Sequence, residues 1–91
     1  MARVMGADSD DGFPRNQPIK VLGRNAPEFR ESALAIVRAH WPDAADYTVA
    51  ERLSSGGAYL SLTITVRVAS RAQADAVYRE LSAHQQILMV L

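Results

Sequence analysis

Leu60, Leu62, Ile64, Val66 and Val68 alternate along the chain with Tyr59, Ser61, Thr63, Thr65 and Arg67. A period of two puts one set on each face of a strand, so Tyr59 to Val68 reads as a strand with one apolar face and one polar face. Ser54-Ser55-Gly56-Gly57 precedes it and supplies the positive φ of a turn, which pairs it with Tyr47 to Ser54 as a hairpin. Ile19 to Gly23 is a short apolar, β-branched run and reads as an earlier strand. Asn25 and Pro27 follow with helix-start chemistry. From Pro27 to Trp41 the residues Phe29, Ala33, Ile36, Val37 and His40 recur at helical spacing until Pro42 ends the run. Ser70 and Gln73 have the spacing of a capping box, with the amide reaching back to the cap backbone. Ala74, Val77, Tyr78 and Leu81 form the stripe of the helix they open, and Ile87 to Leu91 reads as a last strand.

The order is therefore βαββαβ. Right-handed crossovers place both helices on one face of a four-stranded antiparallel sheet with spatial order 4-1-3-2, an α+β sandwich of the ferredoxin-like type. Residues 1–12 are small, polar and without period, which predicts a disordered arm. Phe13-Pro14 is the first anchor, so a single domain is expected over 13–91.

This layout leaves two surfaces unfinished. Helices cover one face of the sheet, and the other presents Tyr59 and its hydroxyl-bearing neighbours. The final strand is apolar on both faces, and an edge of that kind needs cover. Tyr59, Ile87, Leu88, Met89, Val90 and Leu91 are thus candidate interface residues. Three occupants fit: a second copy pairing edges or packing open faces, a larger metabolic enzyme, or the arm anchored at Phe13.

Charge narrows the partners. Ten Lys and Arg balance ten Asp and Glu, which leaves no net field to steer the chain toward nucleic acid or an anionic membrane. No apolar run approaches the ~20 residues needed to cross a bilayer, and the start has no signal-peptide pattern, so a cytoplasmic location is expected. With no cysteine, disulfides, thiolate metal sites and thiol nucleophiles are excluded. At 91 residues one core is expected, in the size range where burial is only about 60–65% and self-association adds most.

Phe13-Pro14, Ile19-Lys20-Val21-Leu22-Gly23, Ser54-Ser55-Gly56-Gly57-Ala58-Tyr59 with its Ser/Thr-alternating strand, and Leu88-Met89-Val90-Leu91 together resemble the YbeD-like family of small bacterial proteins of unknown function. The resemblance spans most of 13–91. It implies a ferredoxin-like fold similar to ACT domains, small modules that bind amino acids at dimer interfaces and regulate metabolic enzymes, and it implies no catalytic residues. The chain departs from the family in its longer Asp-containing arm and in Gly56-Gly57, where a basic residue before Gly is the familiar turn.

Gly23-Arg24-Asn25-Ala26 is the candidate ligand loop. It joins a central strand to a helix N-terminus, whose free N–H groups and dipole favour a carboxylate or phosphate, with Arg24 adding charge. A capped helix start with a solvated Arg is the bland reading of the same residues. Acylphosphatases share this topology, but their water-positioning Asn on the second strand has no counterpart in Tyr47 to Ser54. RNA-binding modules of this fold stack bases on open-face aromatics, and strand three offers only Tyr59. His40 and His84 fall near helix ends without further ligands, and Asp8, Asp10 and Asp11 lack the spacing of a calcium loop, so no metal or cofactor is expected. Lys20 alternates with Ile19 and Val21 and should turn to the open face. The function expected is an ACT-like regulatory or interaction module binding a small metabolite or a protein, with an acylphosphatase-type enzyme and a ligand-free structural adaptor as alternatives.

Overall fold

The computed structural model describes residues 12–91. Its elements are β1 (Arg15–Arg24), α1 (Pro27–His40), a 3₁₀ turn (Ala44–Asp46), β2 (Tyr47–Leu53), β3 (Tyr59–Val68), α2 (Arg71–Ala83) and β4 (Met89–Val90). The strands form one antiparallel sheet in the order β2-β3-β1-β4, the expected 4-1-3-2 arrangement in reverse. Eleven of the twelve expected arm residues, including Asp8, Asp10 and Asp11, lie outside the described residues.

β1 is twice as long as its apolar run suggested. All ten of its residues pair with β3, from Arg15 opposite Val68 to Arg24 opposite Tyr59, so β3 templates the polar first half as well. Pro18 is tolerated inside this central strand for a reason the ladder makes plain. Lys20 exchanges both backbone bonds with Leu91, so the even-numbered residues of β1 point their peptide groups toward β4. Pro18 is the next such position after pairing with β4 stops, and the N–H it lacks has no strand to meet.

The apolar face is sealed. Ile19 and Val21 of β1 and Leu62, Ile64, Val66 and Val68 of β3 are fully buried beneath the helices. α1 presents Phe29, Ala33 and Val37 at four-residue spacing, and the buried Trp41 continues the row just past the helix end. Its indole Nε1–H donates to the Arg67 carbonyl at 2.7 Å, satisfying the polar edge of a ring otherwise in the core. α2 adds Val77 and Leu81. Its cap is Ser70, whose hydroxyl accepts from the Gln73 N–H as expected; the Gln73 amide, however, accepts from the Ala69 N–H, one residue beyond the cap backbone.

Two further expectations change. The helix-start role given to Asn25 falls away, because the α1 cap is Ala26, with no side-chain bond. The last strand is regular only over Met89–Val90, flanked by ladder bonds from Leu88 N–H to Leu22 and between Leu91 and Lys20. Ile87 enters the core instead, because the turn after α2 delivers it there, and Leu88, Met89 and Leu91 stay exposed. Phe13 packs on the core edge with the Arg15 guanidinium 4.4 Å over its ring, at the Val68 end of the sheet and far along β1 from Met89.

Candidate functional site

The β1–α1 loop is a structural joint before it is anything else. Gly23 is buried, and a Cβ there would lie 2.2–2.5 Å from the Phe29 ring, so only glycine lets the first turn of α1 sit on β1. Asn25 is tied twice to the β2–β3 hairpin: its N–H donates to Ala58 and its side-chain Nδ2 donates to the Gly57 carbonyl at 3.0 Å. The Ala26 N–H donates to Arg24, and Pro27 has none. Arg24 is exposed, its guanidinium 5.7 Å from the centre of the Tyr59 ring. Of the donors an anion would need at this loop, those of Asn25 and Ala26 are already engaged.

The sheet's open face has a different character, legible once the register is known. Across the sheet run the rows Arg52–Ser61–Leu22–Met89 and Ala50–Thr63–Lys20, which Leu91 extends, then Thr48–Thr65–Pro18, with Arg67–Asn16 beyond and Tyr59–Arg24 at the hairpin end. Among these strand positions stand four cations, Lys20, Arg24, Arg52 and Arg67, and no acid. The strand acid Glu51 lies on the helix face, where it pairs with Arg30 of α1. The neutral chain has therefore separated its charge: Asp46 lies beside Arg67 at the far end, and the strand positions of the open face are otherwise basic.

The cations are not spread evenly. Lys20, Arg24 and Arg52 flank Leu22 and Tyr59 at the hairpin end, with Met89 beside Leu22, and a hollow of about 240 Å³ opens there between Lys20, Leu22, Arg52, Ser54, Tyr59 and Ser61. Tyr59, Met89 and Leu91 are 44%, 52% and 61% exposed, apolar surface bordered by the positive charge of β1 and β2. At the other end a polar hollow of about 350 Å³ lies between Asn16, Asp46, Tyr47, Thr48, Thr65 and Arg67. Of the residues singled out in the sequence, Arg24, Tyr59, Met89 and Leu91 thus join Leu22 and Lys20 on one surface, while Ile87 is in the core and Gly23, Asn25 and Ala26 belong to the joint beside it. Arg52 was missed: its strand is weakly patterned, and only pairing with Ser61 shows that it shares a face with Lys20. The histidines are engaged elsewhere, His40 with Glu80 at 2.9 Å and His84 accepting from the Gln86 N–H at 3.1 Å.

A βαββαβ sheet carrying two helices on one side and a basic, partly apolar surface on the other defines a small ferredoxin-like module. The chain belongs to the family described as "Protein of unknown function (DUF493)", whose pattern matches residues 3–91. It is 42% identical over 79 residues to a UPF0250 protein of Nitrosomonas europaea, covering 87% of this chain and 91% of that one. A UPF0250 protein of Leptothrix cholodnii is 46% identical over 79 residues, 87% of either chain. The family name describes no enzymatic activity. Among solved structures, protein HP0495 from H. pylori superposes with a TM-score of 0.70 at 10% identity, over 93% of this chain and 92% of that one. The C-terminal domain of the MgtC protein from Mycobacterium tuberculosis does so with a TM-score of 0.62 at 15% identity, over 90% and 88%. Both share the fold. No helix among the described residues is long and apolar enough to cross a membrane.

Proposed function

We infer that this protein is a cytoplasmic, non-catalytic interaction module that docks an acidic, partly apolar segment of a partner protein on the hairpin end of its open sheet face. One observation carries the reading: Lys20, Arg24 and Arg52 flank Leu22 and Tyr59, with Met89 beside Leu22, on a face whose strand positions hold no acid. A carboxylate-bearing segment gains there in two ways. Its charges meet guanidinium and ammonium groups that have no acidic side chain among the neighbouring strand positions of their face, and one apolar side chain covers the exposed strip. The hollow of about 240 Å³ is smaller than the roughly 300–1,000 Å³ of sites that enclose whole small molecules, and it suits a single side chain. Those strand positions supply hydroxyls and cations but no carboxylate or imidazole to act as a base, which favours binding over chemistry. A small anion held at Gly23 to Ala26 has less support, because the N–H groups of Asn25 and Ala26 are engaged.

Backbone shift mapping with a synthetic peptide of alternating Glu and Leu tests this. Perturbations are expected at Lys20, Leu22, Arg52, Tyr59 and Ser61. Shifts confined to Arg24 to Ala26, reproduced by inorganic phosphate alone, would instead establish the loop as an anion site and remove the docking face.

A further inference from the structure

The two edges of the sheet are treated in opposite ways. On the β4 side, pairing is two regular residues long and Pro18 removes the next amide of β1. On the β2 side, seven residues run to the edge without Pro or Gly, and Thr48 to Leu53 are all exposed. The peptide directions of β2 follow from two independent hydrogen bonds. The Ser54 N–H donates to the Tyr59 carbonyl at 3.0 Å, so the even-numbered residues of β2 face β3. The Lys20–Leu91 exchange, carried across β1 and β3 by the register, gives the same parity. Tyr47, Val49, Glu51 and Leu53 therefore point their N–H and C=O groups outward. Proline, a bulge and lysine are all absent from β2, and of its two charges Glu51 is held by Arg30 on the helix face while Arg52 turns to the open face, so neither blocks the outward backbone groups.

We propose that β2 pairs with β2 of a second copy of this chain, antiparallel about a two-fold axis through Ala50, joining two sheets into one of eight strands. Backbone parity allows only registers that set odd-numbered residues opposite odd-numbered ones. The register centred on Ala50 matches all seven residues: Tyr47 meets Leu53, Val49 meets Glu51, and Thr48 meets Arg52. Leu53, 54% exposed in one copy, is then covered by the partner's Tyr47. A shift of one step in one direction sets Glu51 against the partner's Glu51; a shift in the other sets Glu51 against Tyr47 and leaves Leu53 without a facing strand residue. Self-pairing thus has one register free of like-charge opposition and of wasted apolar surface. Charge also argues against the rival arrangement, open face on open face, which would bring Lys20, Arg24, Arg52 and Arg67 of both copies together. Edge pairing keeps both basic faces on the same side and free, so it stands independently of the docking reading above.

The chain has no cysteine, which makes the test clean. At the two-fold, Ala50 forms a non-hydrogen-bonded pair with itself, whose Cα separation of about 4.5 Å lies within disulfide range. Mild oxidation of Ala50→Cys should convert most of the protein to a covalent dimer, while Thr63→Cys, one strand inward, should stay monomeric. Wild type should sediment as a concentration-dependent dimer. Val49→Pro, which removes an outward N–H and no bond to β3, should shift it to the monomer with its circular dichroism retained. A wild type that sediments as a monomer at every concentration, or equal cross-linking of the two cysteine variants, overturns the proposal. So does a monomer whose β2 amides are protected only when a different polypeptide is added.

Discussion

On one side of β1 and β3, Ile19, Val21, Leu62, Ile64 and Val66 are fully buried under two helices; one residue along the same strands, Lys20, Leu22, Thr63 and Thr65 remain at the surface. The two faces come from alternate residues of the same two strands. They differ in what was matched to them: the buried face meets apolar stripes of α1 and α2, and the open face meets none. The first is held by shape, as at Gly23 and Phe29, where no added methyl fits. The second is organised by charge and tolerates change in shape. Stability should therefore reside on one face and recognition on the other, and substitutions can separate the two.

The largest effect should come from Phe29→Ala on the sealed face, which leaves a cavity between α1 and β1 and should cost about 3–5 kcal/mol in denaturant titration. Gly23→Ala at the same contact should cost about 1–3 kcal/mol through overpacking. Adding Phe29→Leu should recover part of that loss; strictly additive values would show that the two positions do not press on one another. Asn25→Ala removes the tie to Gly57 and should cost about 1 kcal/mol, with faster amide exchange in the 54–58 turn. Smallest in stability, Lys20→Glu with Arg52→Glu on the open face should fall within about 0.5 kcal/mol of wild type, and this pair should carry the largest loss of peptide binding.

The sequence displayed the sealed face in advance because periodicity encodes it: β3 alternates without a break, and the α1 row Phe29, Ala33, Val37 repeats at four. The open face was harder to see. Lys20 and Tyr59 could each be assigned to it from their own strands, but Arg52 lies in a strand exposed on both faces, where no pattern shows which way a side chain turns. Its place beside Lys20 is a fact of register, since both flank the row Ser61–Leu22. Asn25 is a second case. Its position before Pro27 is that of a helix cap, and its side chain binds Gly57, 32 residues away, a contact that local chemistry does not foretell. The final strand is a third: five apolar residues in a row do not disclose that Ile87 turns inward and leaves Met89 to neighbour Leu22.

Titration of the Glu–Leu peptide against three proteins tests the central claim most directly: wild type, Lys20→Glu/Arg52→Glu, and Arg79→Glu, which changes an exposed charge on α2. The basic open face as docking surface predicts that binding is lost in the double variant and kept in Arg79→Glu, with the wild-type affinity falling as salt rises. Equal binding by all three, or equal loss in both variants, would contradict it.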